Sequence, residues 1–271
     1  MIINGIEFKI GSDPELFVYD KKAKKFISGH ELIQGTKAKP YPVKKGAVQV
    51  DGTALEFNTE PAKTKKVFSN TVELVVQQLG QMIPAKYQLM AVPTAEFSKR
   101  YMDKLPEDVK VLGCDPDFNA YTGLRNISPN ANVNYRTGAG HIHIGWTNVD
   151  DPFDINHMRE CEAIVQALDI FLGVPSLLID KDDKRRQLYG KAGAFRPKKY
   201  GVEYRVLSNF WVMDPLLREW VFDNTRLALS KLLNHKLRKH YNYAKLAIDN
   251  NSKAYTDWVL NNYRVPLPKG M

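Results

Sequence analysis

The residues best suited to chemistry sit in segments that alternate like β-strands. In Gly140-His141-Ile142-His143-Ile144-Gly145-Trp146, a period of two sends both imidazoles to one face and both isoleucines to the other. Two imidazoles about 7 Å apart can ligate a metal or contact a phosphate, although two ligands alone make no site. Asp13-Pro14-Glu15 repeats the pattern with carboxylates, backed by Leu16 and Val18. Leu55-Glu56-Phe57-Asn58 sets Glu56 and Asn58 opposite two large apolar residues, with Asp51 and Glu60 flanking. Glu203 and Arg205 face away from Val202, Tyr204 and Val206. Taken singly, each has a bland reading: a wet sheet face, an Asp-Pro turn, a solvated hairpin, or a surface ion pair worth roughly 0–1 kcal/mol.

Together they say more. If these strands are neighbours, one face carries Asp13, Glu15, Glu56, His141, His143, Glu203 and Arg205. Carboxylates packed that closely repel unless cations neutralise them. Hard oxygens with one or two imidazoles suit Mg²⁺ or Mn²⁺ held with a polyphosphate better than a closed zinc site. Arg185, Arg186, Lys191, Arg196, Lys198 and Lys199 precede or flank the last strand and are placed to reach phosphates.

Several elements must position these groups. Ile6 to Ile10 and Leu16 to Tyr19 read as strands around a Gly11-Ser12-Asp13-Pro14 turn, and Ala47 to Val50 pairs with Ala54 to Phe57 through Asp51-Gly52. Val72, Val75, Val76, Leu79, Met82 and Ile83 mark a helix, with Asn70 and Glu73 resembling a capping box and Pro84 as its stop. Cys161, Ile164, Val165, Leu168, Phe171 and Leu172 mark another, closed by Gly173 and Pro175. Val202 to Leu207 returns to strand. Asp214 caps a helix with Pro215 at its first position, and Ser252 stands where another begins. Strands and helices that do not strictly alternate imply an α+β fold with a curved, mainly antiparallel sheet and packed helices. No long linker divides the chain, so residues 1–271 are expected to form one domain, with 214–271 as its helical C-terminal part.

The 271 residues carry 39 Lys or Arg against 30 Asp or Glu, a net charge of +9. The surplus sits in two places: nine basic against three acidic residues from Lys181 to Arg205, and six basic with no acid from Arg226 to Lys245. An anionic partner is implied, without saying whether it is a polymer, a membrane or a nucleotide. No uninterrupted apolar run approaches the ~20 residues that span a bilayer, and the N-terminus lacks a signal-peptide layout. Cys114 and Cys161 are too few and too far apart for a disulfide framework or a cysteine zinc site. A reducing cytoplasm, without membrane contact, is the simplest home.

The acid-x-Glu strand, the Glu-bearing hairpin, Gly-x-His-x-His and the late Glu-x-Arg, in that order, resemble the glutamine synthetase and glutamate–cysteine ligase superfamily. The nearest likeness is its small, often phage-encoded branch, the type-2 carboxylate–amine ligases. GSDPELFVYD, VQVDGTALEFNTEPA, GAGHIHIGW and RRQLYGKAGAFRPKKYGVEYRVLSN carry the resemblance, from Gly11 to Asn209. It implies a single ATP-dependent ligase domain, in the host cytoplasm if phage-encoded, with two or more Mg²⁺ or Mn²⁺ ions. Asp13, Glu15, Glu56, His141 and Glu203 would be metal ligands. His143, Arg186, Lys191, Arg196 and Lys198 would contact ATP, and Arg205 and Arg196 would stabilise the transferring phosphoryl group. Asp13 stands where the superfamily uses a longer Glu, and Asp51 is a less secure ligand than Glu56.

The implied reaction phosphorylates a substrate carboxylate from ATP, after which an amine attacks the acyl phosphate and an amide forms. Asp117 would act as base, while Asp115, Asn119, Arg136 and Arg205 would bind the substrates, an amino-acid or peptide carboxylate and a small amine. Leu112 to Phe118 echoes Ile10 to Leu16, though a second Asp-Pro turn explains that equally well. Three other readings stand beside this one. A nucleic-acid binder would use the basic segments with Tyr189, Phe195, Tyr200, Tyr204 and Lys236 to Tyr241, and the acceptor itself can be a nucleic acid or a modified base. A metal-dependent hydrolase would use the same face without ATP, and a degenerate ligase would bind nucleotide without turning over. Oligomeric state is left open by the sequence.

Overall fold

The computed structural model describes residues 1–110, 117–127, 133–237 and 240–270. A short hairpin, β1 (Ile2–Ile3) and β2 (Ile6–Glu7), leads into β3 (Lys9–Ser12), β4 (Glu15–Asp20), β5 (Lys25–Ile27), β6 (Tyr41–Val43), β7 (Gly46–Asp51) and β8 (Ala54–Thr59). Helix α1 (Lys65–Met82) follows, then β9 (Tyr87–Met90), β10 (Thr94–Glu96), the single turns α2 (Lys99–Met102) and α3 (Glu107–Lys110), β11 (Phe118–Asn119), β12 (Tyr135–Thr137) and β13 (Ile142–Gly145). The second half holds α4 (Ile155–Leu168), a π-helical turn at Asp169–Gly173, α5 (Val174–Ile179), α6 (Lys184–Leu188), β14 (Ala194–Lys198) and β15 (Gly201–Tyr204). Three helices finish the chain: α7 (Pro215–Leu233), α8 (Tyr241–Asp249) and α9 (Lys253–Tyr263).

The expected α+β fold with mainly antiparallel sheet is present, with one refinement. Among the described residues, most strands form two larger sheets rather than one, beside the two-stranded pairs β1-β2 and β10-β12. A five-stranded sheet has the order β11-β14-β15-β13-β3, and a six-stranded one the order β5-β4-β8-β7-β6, with β9 also on β4. The chain crosses from the first to the second at Asp13-Pro14. Pro14 has no N–H to give to a ladder, and the polar groups around it are taken up elsewhere. Glu15 N–H donates to the Ala139 carbonyl at 2.9 Å, and Phe57 N–H to the Pro14 carbonyl at 3.1 Å. Asp13 is therefore a corner between sheets rather than the tip of a hairpin.

Register then fixes which side chains meet. His143 lies opposite both Gly11 of β3 and Glu203 of β15, and Arg196 lies opposite Glu203. Glu15 of β4 lies opposite Glu56 of β8. The apolar faces, including Ile142, Ile144, Val202, Tyr204, Leu16 and Leu55, are fully buried with α1, α4 and α7. Burying one such side chain is worth about 1.5–3 kcal/mol, so a one-residue slip that exposed this row would be heavily disfavoured.

Helix boundaries correct the sequence reading twice. Thr64, not Asn70, caps α1: its side chain accepts from Val67 N–H, and the helix starts a turn and a half earlier than the capping-box pattern implied. Gly173 and Pro175 do not close the second helix either. The π turn widens the coil just before Pro175, which sits in α5 without ending the helical stretch. The continuous stretch Ile155–Ile179 is long and apolar enough to cross a membrane by composition, yet its most apolar window is 72% buried inside this fold. Asp214 caps α7 as expected, accepting from Leu216 and Leu217 N–H, whereas Ser252 precedes α9 without a side-chain cap bond.

Gly201, where β15 starts against Gly145, has φ +146°, and an added Cβ would lie 2.1 Å from the Ile144 carbonyl. Gly201→Ala is therefore expected to lower the unfolding free energy by roughly 2–4 kcal/mol, measured by urea denaturation. A change within about 0.5 kcal/mol, the range of an ordinary surface substitution, would contradict this reading of the β13–β15 register.

Candidate functional site: a buried acid and histidine cluster between two cavities

Four side chains from three segments converge where the two sheets meet. His143 Nε2 lies 2.9 Å from Asp13 Oδ1. His141 Nδ1 lies 3.3 Å from the same oxygen and 3.4 Å from Glu203 Oε1. Asp13, His143 and Glu203 each offer a ligand atom within 4.8 Å of the others. Period two along β13 and β15 aims these groups inward together, while the corner at Pro14 brings Asp13 over them.

The cluster is electrostatically uneven. Burial and the Asp13 charge oppose ionisation of Glu203, but Arg205 and then the two histidines overcome them and hold its carboxyl down to about 2. Arg205 donates to Glu203, Lys198 Nζ lies 2.7 Å from its second oxygen, and Arg196 lies 3.7 Å away. Burial also works against Asp13, yet His143 and His141 keep it ionised, well below the usual carboxylate range. His141 is pushed down to about 4 by burial and by Arg205, so its ring is neutral at pH 7. His143 goes the other way, raised by Asp13 against the effect of burial.

Glu15 and Glu56 form a second pair on adjoining strands. Burial, then the charge of Asp51, pushes Glu15 up to about 7, although its Oε2 accepts from Ala139 N–H at 2.9 Å. Burial and the charges of Asp13 and Glu15 raise Glu56 well above its ordinary value, against a 2.7 Å hydrogen bond from Gln49 Nε2. Like charges directly opposite on paired strands are unfavourable, and a nearby cation would relieve both.

A divalent ion fits the donor set. Asp13 Oδ1, His143 Nε2 and Glu203 Oε2 are all buried, and the three side chains offer ligand atoms close to one another. Two carboxylates with one imidazole are a plausible shell for Mg²⁺ or Mn²⁺. Tyr200 contacts the other ring nitrogen of His143, the kind of outer contact that fixes a ligand's tautomer.

Cavities open on both sides of the cluster. The larger, about 810 Å³, is bounded by Asp13, Glu56, His143, Trp146 and Tyr200. The smaller, about 70 Å³, is bounded by Glu15, Asp51, Asp117, Arg136, His141 and Arg205. The cluster is thus a partition, with His143 facing one space and His141 the other.

The remaining expected residues divide. Asp117 is in the smaller cavity, where it accepts from Arg205 Nε at 3.2 Å and from Asn126 at 2.8 Å. Arg136 lines the same cavity, but its guanidinium donates to the carbonyls of Lys110, Val133 and Tyr135 and fastens the wall. Asn119 lines neither cavity: it accepts from Tyr121 N–H and donates to the Ala192 carbonyl, bonds that shape its own turn. Arg186 is likewise turned away, bonded to Asp180 at the end of α5. Lys191 is exposed and lines neither cavity. Asp115, with most of the Leu112 to Phe118 echo, lies outside the described residues.

Phe195 and Tyr204, named for base stacking, are fully buried and present no ring to a nucleic acid. Three functional neighbours were not singled out for what they do. Tyr200 contacts His143. Arg185 is buried and donates to the Arg205 and Val206 carbonyls, fixing the chain that carries Arg205. Asp169, in the π turn, accepts from Tyr204 OH at 2.8 Å, Tyr121 OH at 2.9 Å and Gly193 N–H at 2.7 Å. It anchors Tyr204, the residue between Glu203 and Arg205. An acid inside an apolar helical stripe was the only sequence signal for it.

The family described as phage phiEco32-like COOH.NH2 ligase-type 2 matches residues 121–257, half of the chain. The chain belongs to this family. The ligase-family span contains His141, His143, Arg196, Lys198, Glu203 and Arg205, while Asp13, Glu15 and Glu56 come from the strands before it. No curated protein sequence matches this family member. Among solved structures, a bifunctional glutathione synthetase from Pasteurella multocida is similar over 96% of this chain and 47% of its own, at 9% identity and TM-score 0.48. A glutamine synthase homolog is similar over 95% of this chain and 65% of its own, at 13% identity and TM-score 0.37. This ligase-family chain thus spans about half the length of the first.

The Asp169 anchor generates a pH prediction. Burial pushes its carboxyl up to about 7 from 3.8, against the three donors. The folded state therefore binds more protons than the unfolded state between those values, and stability falls as pH rises through that window. Asp169→Asn, which cannot titrate, is expected to show a shallower decline from pH 4 to 7 in urea unfolding. Equal slopes in the two proteins would contradict the assignment.

Proposed function

We propose that this protein is an ATP-dependent carboxylate–amine ligase of one domain, residues 1–271, with 214–271 its helical part. The observation that carries the reading is the partition itself: a buried cluster of acids and histidines with a nucleotide-sized cavity on one side and a smaller polar cavity on the other. The family membership supports the amide-forming reaction class.

In this reading the nucleotide occupies the larger cavity with its phosphates towards Asp13 and His143. Asp13, His143 and Glu203 hold a divalent ion, with Glu15, Glu56 and His141 as candidate ligands for a further one. Such an ion, when bound, supplies positive charge at the phosphates. Arg196 and Lys198, already at Glu203, add to that charge at the terminal phosphate. The carboxylate to be activated lies in the smaller cavity against Arg205, which Asp117 and Arg185 hold in place. ATP phosphorylates the carboxylate, ADP departs, and an amine attacks the acyl phosphate to release phosphate and form the amide. Both oxygens of Asp117 already accept hydrogen bonds, so its role is to orient Arg205. Glu15, held near pH 7, is the better proton acceptor for the amine. The walls around the cluster shield the acyl phosphate from water.

The substrates proposed are an amino-acid or peptide carboxylate and a small amine. Nothing in the smaller cavity favours a nucleic-acid acceptor. The test is ADP release from ATP with Mg²⁺ or Mn²⁺ over a matrix of carboxylates and amines. Glu203→Gln is expected to reduce the best pair by at least ~10²-fold, the scale of losing one electrostatic stabiliser. Undiminished turnover in that variant would sink the assignment of Glu203, and turnover without nucleotide would identify a hydrolase instead.

A further inference from the structure

Among the described residues, the basic side chains from Arg226 to Lys245 play no part in the acid and histidine cluster. A cavity of about 450 Å³ lies at the C-terminal ends of α7 and α9, bounded by Lys231, Lys236, Asn262, Tyr263 and Arg264 over an apolar floor. A smaller one, about 80 Å³, shares Lys236, Asn262 and Tyr263 and adds His240 and Trp258. The two cavities share these three walls and lie side by side as a C-terminal groove. We propose that this groove is a second anion-binding site, which takes a compact polyphosphate group through Lys231, Lys236 and Arg264.

Three observations converge on it. The first is charge: neither cavity has a carboxylate among its lining residues. The ion pairs of α8 and α9, Lys245 with Asp249 and Lys253 with Asp257, leave Lys231, Lys236 and Arg264 out. Three cations around one concavity repel each other, and a multivalent anion relieves that repulsion.

The second is placement. Arg264 ends α9 in the left-handed region, φ +48°, a position where helices usually put glycine. An arginine there sets a guanidinium on the rim of the groove. The chain beyond is pinned: Val265 is buried and bonds back to the Leu260 carbonyl, and the Pro266 carbonyl accepts from Trp220 and Asn224. Lys231, in the last turn of α7, also complements the carbonyl end of that helix. That accounts for one of the three cations and leaves the other two.

The third distinguishes a small anion from a nucleic acid. Basic groups that follow a strand are spread along a groove with aromatic rings presented for stacking. Here Lys231, Lys236 and Arg264 all line the larger of the two cavities. Trp258 packs on Tyr243 at 4.3 Å between ring centroids, with the His240 ring edge-on to it. The aromatic rings form the wall rather than a platform.

The test uses the full-length chain, inorganic tripolyphosphate and no divalent cation. Amine-reactive labelling mapped by mass spectrometry is expected to show Lys231 and Lys236 protected at least threefold by tripolyphosphate, with exposed Lys66 unprotected. Calorimetry is expected to show at least a tenfold weaker affinity at one site in the Lys236→Gln, Arg264→Gln double variant, with ADP-forming turnover unchanged. Protection confined to Lys198 would place the anion at the acid and histidine cluster and overturn the proposal. Unchanged affinity in the double variant would overturn it equally. So would a single-stranded oligonucleotide that displaces tripolyphosphate from Lys231 and Lys236 at a tenfold lower concentration, since that marks a nucleic-acid contact.

Discussion

Burial of like charges is the constraint on which the rest of this structure depends. Asp13 and Glu203 are kept ionised while enclosed, and Glu15 and Glu56 stand opposite each other on neighbouring strands. An isolated carboxylate in such a place would simply take up a proton. What prevents this at Glu203 is a ring of cations: Arg205, Lys198 and Arg196. What prevents it at Asp13 is a pair of imidazoles. The scaffold supplies these partners by register, since β3, β13, β15 and β14 are consecutive in one sheet, and by the corner at Pro14 that brings Asp13 over them.

The same constraint explains the basic run before Arg205. It was expected to reach for phosphates, and part of it instead serves the protein. Arg185 and Arg205 hold backbone and acid inside the fold, Arg186 is fastened to Asp180, and Lys198 answers Glu203. Lys198 and Arg196 reach Glu203 without lining either cavity, so a second role at a phosphate would come through the cluster. The cations of the C-terminal groove differ, because no acid lines their cavity.

The site was legible in sequence wherever a strand pattern of period two carried it. His141, His143, Glu203 and Arg205 could be placed on one face, and the Asp51-Gly52 signal gave the hairpin that carries Glu56, although its two-residue turn is Gly52-Thr53. Asp13 was singled out for its chemistry but placed in the wrong local structure: the sequence cannot show that Pro14 joins two sheets, because both partners of that corner lie far along the chain. Asn119 and Arg186 illustrate the complementary failure. Both have suitable chemistry and spacing, and both are consumed by local hydrogen bonds that only the folded backbone offers. Asp169 was hidden for a different reason. Its partners Tyr121, Gly193 and Tyr204 are distant in sequence, and the π turn that presents it leaves no periodic trace.

The central claim is that Asp13, His143 and Glu203 hold a divalent cation at the junction of the sheets. Titration of the full-length chain with Mn²⁺, followed by the loss of the free-ion electron paramagnetic resonance signal, tests it without reference to substrate. Saturable binding by the native protein, weakened at least tenfold in Asp13→Asn with the far-ultraviolet circular dichroism unchanged, is the expected result. Absence of saturable binding in the native protein, or equal affinity in the variant, would contradict it.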